Sequence, residues 1–274
     1  MSKPLPSRRK TSSREAYWRE MFNDFSALES DHAISGWSPQ GLSLRMKSYL
    51  RALPTLNLAP GALVLDLGCG AGAYSRVLGK AGFRVVGVDF AWLVAGQARK
   101  RTTEGAVDYV SGDATCLPFA DDLFDHVVCI GLFQSLHKHR EAMREIHRVL
   151  KPGGVLCLMT LNRRNLKATL DRKLKREEII LVEGQPQARL NTYDPALFTG
   201  ELEEAGFRNL RREPVQIYPE KLNGAAGLIW LWSRLPGLGY LTARSFMVIG
   251  EKAGGKAGSP RRRGGRRENP EEQQ

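Results

Sequence analysis

Three carboxylates carry the chemistry that can be read from this chain. Asp66, Asp89 and Asp113 each follow a short apolar run, at intervals of 23 and 24 residues. The first sits in Val64-Leu-Asp-Leu-Gly-Cys-Gly-Ala-Gly72, and helical spacing then resumes at Tyr74, Val77 and Leu78. A strand, a glycine turn and a helix N-terminus in that order place backbone N–H groups and little side-chain bulk against a ligand. A carboxylate beside the turn suits an ammonium or hydroxyls better than a pyrophosphate. Asp89 can accept from both hydroxyls of a ribose. Asp113, in Ser-Gly-Asp-Ala, can accept from an adenine amino group, with Ala114 supplying a backbone donor. Residues 68–73 alone also fit the dinucleotide pattern G-x-G-x-x-A, and any one Asp reads equally as a cap or turn residue. Three at successive strand ends point to one crevice.

The elements that position them alternate regularly. Strands are expected at 63–67, 84–88, 107–110, 126–130 and 154–160, with helices at 73–81, 91–101 and 139–150. Such alternation gives repeated βαβ units and a parallel sheet. Residues 161–191 break the rhythm with a basic segment and a short apolar run at 179–182. A helix at 194–205 and strands at 209–218 and 245–250 follow, with no helix fitting well between the last two. They read as an antiparallel pair at the sheet edge. The expected fold is α/β: a Rossmann-like, doubly wound, seven-stranded sheet with an antiparallel final strand and helices on both faces. Helices at 13–28 and 38–53 and a C-terminal insertion form a cap. In the first helix Tyr17, Met21, Phe22 and Phe25 share a face.

The net charge of +12 invites a nucleic-acid reading, but its location argues against one. Residues 1–20 and 252–274 each carry +4, leaving only +4 for the other 231 residues. We expect a disordered leader at 1–12, a domain at 13–251 and a disordered basic tail at 252–274. Cys69, Cys116, Cys129 and Cys157 show no metal-ligand spacing, so no metal is expected. They read as reduced, semi-buried thiols of a cytoplasmic protein. No secretory signal is expected at the N-terminus, and the apolar stretch 224–232 is too short to span a bilayer.

Val64-Leu-Asp-Leu-Gly-Cys-Gly-Ala-Gly72, Gly87-Val-Asp-Phe90, Gly112-Asp-Ala114 with Leu117-Pro-Phe119, Phe124-Asp125 and Glu145-Ile-His-Arg-Val-Leu-Lys-Pro-Gly-Gly154 together resemble the class I S-adenosylmethionine-dependent methyltransferases. The branch they look most like includes the ubiquinone and menaquinone methyltransferases. The likeness is dense over residues 45–160 and looser over 191–207. It implies S-adenosyl-L-methionine as cofactor. Asp66 would serve the methionine ammonium, partly through water, and Gly68 and Gly70 would let the backbone approach the methionine moiety. Asp89 would hold the ribose and Phe90 would flank adenine. Asp113 and Ala114 would read the adenine edge, and Ile130 and Gly131 would face the sulfonium. Tyr17 is expected to fold over the cofactor. Relatives often carry Glu-His or His-His after the fourth strand, where this chain has Gln134-Ser135. No catalytic histidine therefore carries over. His137 and His139 read as surface or helix-start residues, with His137 the candidate general base.

The implied function is methyl transfer to a small, lipophilic acceptor, at oxygen or carbon, by in-line displacement. Segments 161–191 and 219–244 would cover the crevice. The second, rich in Trp and Leu, reads equally as a helix packed on the sheet edge and as a lipophilic lid or membrane-surface contact. Two alternatives stand beside this: an RNA methyltransferase using its basic tails, and a non-catalytic cofactor-binding partner. The Asn/Asp-Pro-Pro-aromatic motif associated with base methylation is absent after the fourth strand, which holds Cys129-Ile-Gly-Leu132.

Overall fold

The computed structural model describes residues 14–166, 169–170, 179–182, 185–215 and 238–254. The leader, residues 255–274, most of 219–244 and much of 161–191, on which cap and tail expectations fall, lie outside the described residues.

Three helices precede the sheet: α1 (Arg14–Phe25), α2 (Asp31–Ile34) and α3 (Pro39–Ala52). The alternating part then runs β1 (Leu63–Leu67), α4 (Ala73–Lys80), β2 (Arg84–Asp89), α5 (Trp92–Arg101), β3 (Val107–Ser111), β4 (Phe124–Ile130), α6 (His139–Val149) and β5 (Leu150–Leu161). After these come β6 (Ile179–Val182), β7 (Gln185–Arg189), α7 (Pro195–Glu204), β8 (Phe207–Val215), α8 (Leu238–Thr242) and β9 (Ser245–Lys252). The seven-stranded sheet has the order β3-β2-β1-β4-β5-β9-β8. β1 to β5 are parallel, while β9 runs antiparallel between β5 and β8. The strand order reverses between β1 and β4, and ligands of such sheets bind at the carboxyl ends beside that reversal.

Alternation along the central strands sends side chains to two cores. Val64, Val128, Cys157 and Met159 meet Tyr49 of α3 and Tyr74 and Leu78 of α4 on one face. Leu65, Leu67, Cys129 and Leu158 meet Met143 and Ile146 of α6 and Phe198 of α7 on the other. The Lys-Pro-Gly-Gly turn is drawn into the start of β5, where a Cβ on Gly154 would come within 2.8 Å of the Lys151 carbonyl oxygen. Glu145 and Arg148 of the same motif clamp the loop after β3. Glu145 accepts from the Leu117 N–H at 2.7 Å, and Arg148 donates to the Leu117 and Phe119 carbonyls at 3.0 and 2.7 Å. That clamp fixes the loop that carries Asp113.

Three expectations need correction, and the apolar run at 179–182 gains a partner strand. A short helix, α8, stands between the last two strands, where none fitted the sequence. The break after β5 contains a two-stranded hairpin, β6–β7, separate from the main sheet. β8 begins two residues early at Phe207 because that side chain anchors in the core. Of the four cysteines Cys116 is exposed, since it lies in the loop after β3 and not on a strand. Among the described residues no helix is long and apolar enough to cross a membrane.

Candidate functional site

The glycine turn between β1 and α4 works by close approach, with few donors to spare. Gly68 and Cys69 both donate to the Val88 carbonyl, at 2.8 and 3.0 Å, and Gly72 donates to the Cys69 carbonyl at 2.9 Å. The Gly70 N–H goes to Asp89 Oδ2 at 2.9 Å. These bonds close the loop and use N–H groups that the sequence alone assigned to a ligand. Gly68 has φ +77, and a Cβ there would lie 2.9 Å from the Leu132 Cβ. A larger residue would fill the cavity where the strand ends meet.

Asp66 lies beneath this floor and does not line the cavity. It is buried and accepts from Ser75 Oγ at 2.6 Å. Burial pushes its carboxyl up to about 7, against the opposing effect of the Ser75 hydrogen bonds. Asp89 ends β2 and does line the cavity. Its Oδ2 accepts from Gly70 and its Oδ1 from the Ala91 N–H, at 2.9 Å each. Burial raises its carboxyl above the usual range while these backbone donors pull it down. Each oxygen keeps a second lone pair for a diol. Phe90 follows, its ring covered on one side by the Arg19 guanidinium at 3.8 Å. Asp113 accepts from the Thr115 N–H and hydroxyl, both at 2.8 Å and both on Oδ1. Asp113 and Ala114 line the same cavity, as do Ile130 and Gly131 at the end of β4. Eight of the nine residues expected to hold the cofactor thus surround one cavity.

The loop after β4 forms the opposite wall. Gln134 is buried, and its carbonyl accepts from the Asn191 N–H at 2.7 Å. Ser135 and the exposed His137 and Lys138 reach the cavity. His139 is placed otherwise. It pairs with Glu201 at 3.0 Å and packs edge-on against the Tyr193 ring, so it joins α6 to α7.

The N-terminal segment supplies an aromatic roof that the sequence only half disclosed. Trp18 and Phe22 line the cavity, whereas Tyr17 does not. Tyr17 is edge-on to Trp18, one residue out of phase with the cavity face. Ile34, Ser35 and Trp37 complete the roof. Their position follows from Asp31, which binds both Arg76 of α4 and Arg101 of α5, the latter at 2.9 Å. The edge of the Trp37 ring meets Gly131, where a Cβ would collide with the ring Cζ2, and the buried Arg45 guanidinium stands 4.6 Å from the Trp37 centroid. No periodicity or spacing in the sequence links Trp18 and Trp37 to the strand ends.

Residues 65–158 match a family described as a methyltransferase domain. Demethylmenaquinone methyltransferase of Mycolicibacterium paratuberculosis is 38% identical over 135 residues, covering 47% of this chain and 56% of the relative. That of Mycobacterium tuberculosis is 40% identical over 121 residues, covering 43% of this chain and 49% of the relative. The chain thus spans about half the length of the curated relatives it matches. In fold it is similar to a solved S-adenosylmethionine-dependent methyltransferase from Thermotoga maritima. The TM-score is 0.57 at 18% identity, over 88% of this chain and 100% of the other.

Proposed function

We propose, from the premise that this chain belongs to the class I S-adenosylmethionine-dependent methyltransferases, that it transfers a methyl group to a small, lipophilic acceptor. One observation carries the reading: a single cavity with Asp89 and Asp113 on its strand-end side and Trp18, Phe22, Trp37 and Leu136 around the remainder. A polar floor and an aromatic roof fit a nucleoside at one end and an apolar molecule at the other. The acceptor named in its relatives, demethylmenaquinone, is the first to assay.

The residues present fit the cofactor. Asp89 would accept from both ribose hydroxyls, and Phe90 would cover the adenine. Asp113 Oδ2 would accept a hydrogen bond from the adenine amino group, with the Ala114 N–H as a donor beside it. Gly68 and Gly70 would admit the methionine chain, with Asp66 contributing through water from below. Ile130 and Gly131 would border the methyl group. S-adenosylmethionine supplies, when bound, a methyl carbon made electrophilic by sulfonium. The chain's task is then to orient the acceptor in line with that carbon and keep water out. Such orientation is worth about 7–11 kcal/mol in favourable cases. His137 is the imidazole lining the cavity among the described residues, and it would take the acceptor's proton.

Calorimetric titration with S-adenosylmethionine and S-adenosylhomocysteine tests the reading. Binding of both is expected; no heat with either at millimolar ligand overturns it.

A further inference from the structure

Charge is segregated around the cavity. Among the described residues its charged lining groups are Asp89 and Asp113 on the strand-end side and His137 and Lys138 on the loop between β4 and α6. Arg19 of α1 covers the Phe90 ring and does not line the cavity. Both acids are already engaged, Asp89 by the Gly70 and Ala91 N–H groups and Asp113 by Thr115. One side therefore offers carboxylate oxygens to a ligand, and the opposite wall offers cations.

Lys138 differs from the cations that follow it. Each arginine of α6 has a carboxylate: Arg140 reaches Glu201 and Glu204 at 2.8 and 3.2 Å, Arg144 stands 3.9 Å from Glu141, and Arg148 pairs with Glu145 at 2.8 Å. His139 shares Glu201 at 3.0 Å. None of these four cations lines the cavity. Lys138, one residue before the helix, does line it and has no carboxylate partner among the described residues. The acids of this region are thus spent on cations outside the cavity, and the ammonium at its wall is left without a counter-ion. Leu132 and Leu136 line the same loop. A ligand seated against them excludes water from that side, so an ion pair formed there is screened less than one on the open surface.

We propose that Lys138 selects the acceptor: its ammonium pairs with an anionic oxygen, so the cavity favours aryl or enolic hydroxyl compounds, held as their oxyanions, over neutral apolar molecules of the same shape. The inference rests on the reading of this cavity as the seat of methyl transfer, and it narrows the acceptor's chemical class. It gives two neighbouring residues complementary parts. His137 holds the acceptor's proton, and Lys138 faces the charge that remains. An oxyanion conjugated with a ring is electron-rich at both its oxygen and its ring carbons, so the selection suits methylation at either.

The ionisation of bound 1-naphthol tests the proposal, since absorbance reads it without turnover. The full chain is first saturated with S-adenosylhomocysteine, which carries no sulfonium charge. Naphthol bound to the parent is expected to ionise about 0.5–1 pH unit lower than naphthol bound to Lys138→Met, a preference for the anion of about three- to tenfold. Lys138→Arg should keep the parent's midpoint. Asp89, Asp113 and His137 are common to all three proteins, so the difference reads residue 138 alone. Both variants should bind S-adenosylhomocysteine as the parent does. Equal midpoints in the parent and Lys138→Met would overturn the proposal, as would absence of naphthol binding by the parent complex. Weaker S-adenosylhomocysteine binding by Lys138→Met would place the ammonium against the cofactor and overturn it equally. Failure of the parent to bind S-adenosylhomocysteine would overturn the underlying methyltransferase reading and the proposal with it.

Discussion

The Asp89 carboxylate accepts the backbone N–H of Gly70 at 2.9 Å and so ties the end of β2 to the turn that follows β1. One side chain therefore shapes the floor of the cavity and presents acceptors to a ligand. Asp89→Ala removes both functions. Its S-adenosylhomocysteine affinity should fall by about 1–3 kcal/mol, the scale of a lost charge-assisted hydrogen bond. Asp89→Asn should fall less, since one oxygen remains to accept. Calorimetry on the two variants checks the order, and equal affinities would place the ribose elsewhere.

Asp66 and Ser75 make stability depend on pH. The folded carboxyl holds its proton to about 7, against a reference of 3.8, because burial disfavours its charge. Between those values the folded chain binds more protons than the unfolded one. Its contribution is complete below about 3.8 and declines as pH rises through 7. Asp66→Asn keeps an acceptor for Ser75 and stays neutral. It should be more stable than the parent at pH 7.5, by about 2–4 kcal/mol, and similar at pH 4. Urea denaturation at both pH values reads the difference.

The carboxylate positions were legible because Asp89 ends β2 while Asp66 and Asp113 lie within two residues of the ends of β1 and β3, and parallel strand ends share a rim. Trp18 and Trp37 were not legible as cavity residues. Their placement depends on Asp31 meeting Arg76 and Arg101, residues 45 and 70 positions away. Nothing local in the sequence encodes that meeting. Tyr17 shows how small the margin is: one residue along a helix turns a side chain by about 100°, enough to trade it for Trp18. Asp66 and Asp89 look alike in sequence, yet Ser75, one turn into α4, takes the first below the floor.

His126 is the opposite case to Asp66. It is fully buried, with Nδ1 2.8 Å from the Val155 carbonyl and Nε2 3.0 Å from the Tyr49 hydroxyl. The carbonyl needs a proton on Nδ1, so neutral Nε2 accepts from tyrosine. Burial lowers the imidazole to about 4. Stability is therefore complete above about 6.5 and falls as pH drops toward 4, by up to about 3 kcal/mol. The double variant His126→Leu, Tyr49→Phe removes both polar partners. Its stability should lose this acid slope, and retention of the full slope would shift the cause to another group.

His137 lines the cavity, and among the described residues it lacks a fixed carboxylate partner such as His139 finds in Glu201. As proton acceptor it should matter to turnover and not to cofactor affinity. His137→Gln is expected to lower kcat by about 10²-fold or more, with S-adenosylhomocysteine binding unaltered and the lost rate partly restored as pH rises and the acceptor ionises unaided. Equal loss at every pH would make the residue a positioning contact.

Gly131 and Trp37 are coupled by shape. Gly131 has φ +81, and a Cβ there would enter the Trp37 ring. The buried Arg45 guanidinium lies over the face of the Trp37 ring, 4.6 Å from its centroid, and restricts the ring's movement. Gly131→Ala should therefore incur both the left-handed backbone penalty, about 1–2 kcal/mol, and overpacking of about 1–3 kcal/mol. Trp37→Ala removes the obstacle and leaves only the first. In a double-mutant cycle by urea denaturation, Gly131→Ala should thus cost less in the Trp37→Ala background, with a coupling of about 1–3 kcal/mol. The single Gly131→Ala chain should also bind S-adenosylhomocysteine more weakly, since the displaced ring must move against the cavity. Additive costs would show that the ring yields without strain and that Gly131 is required for its backbone angle alone.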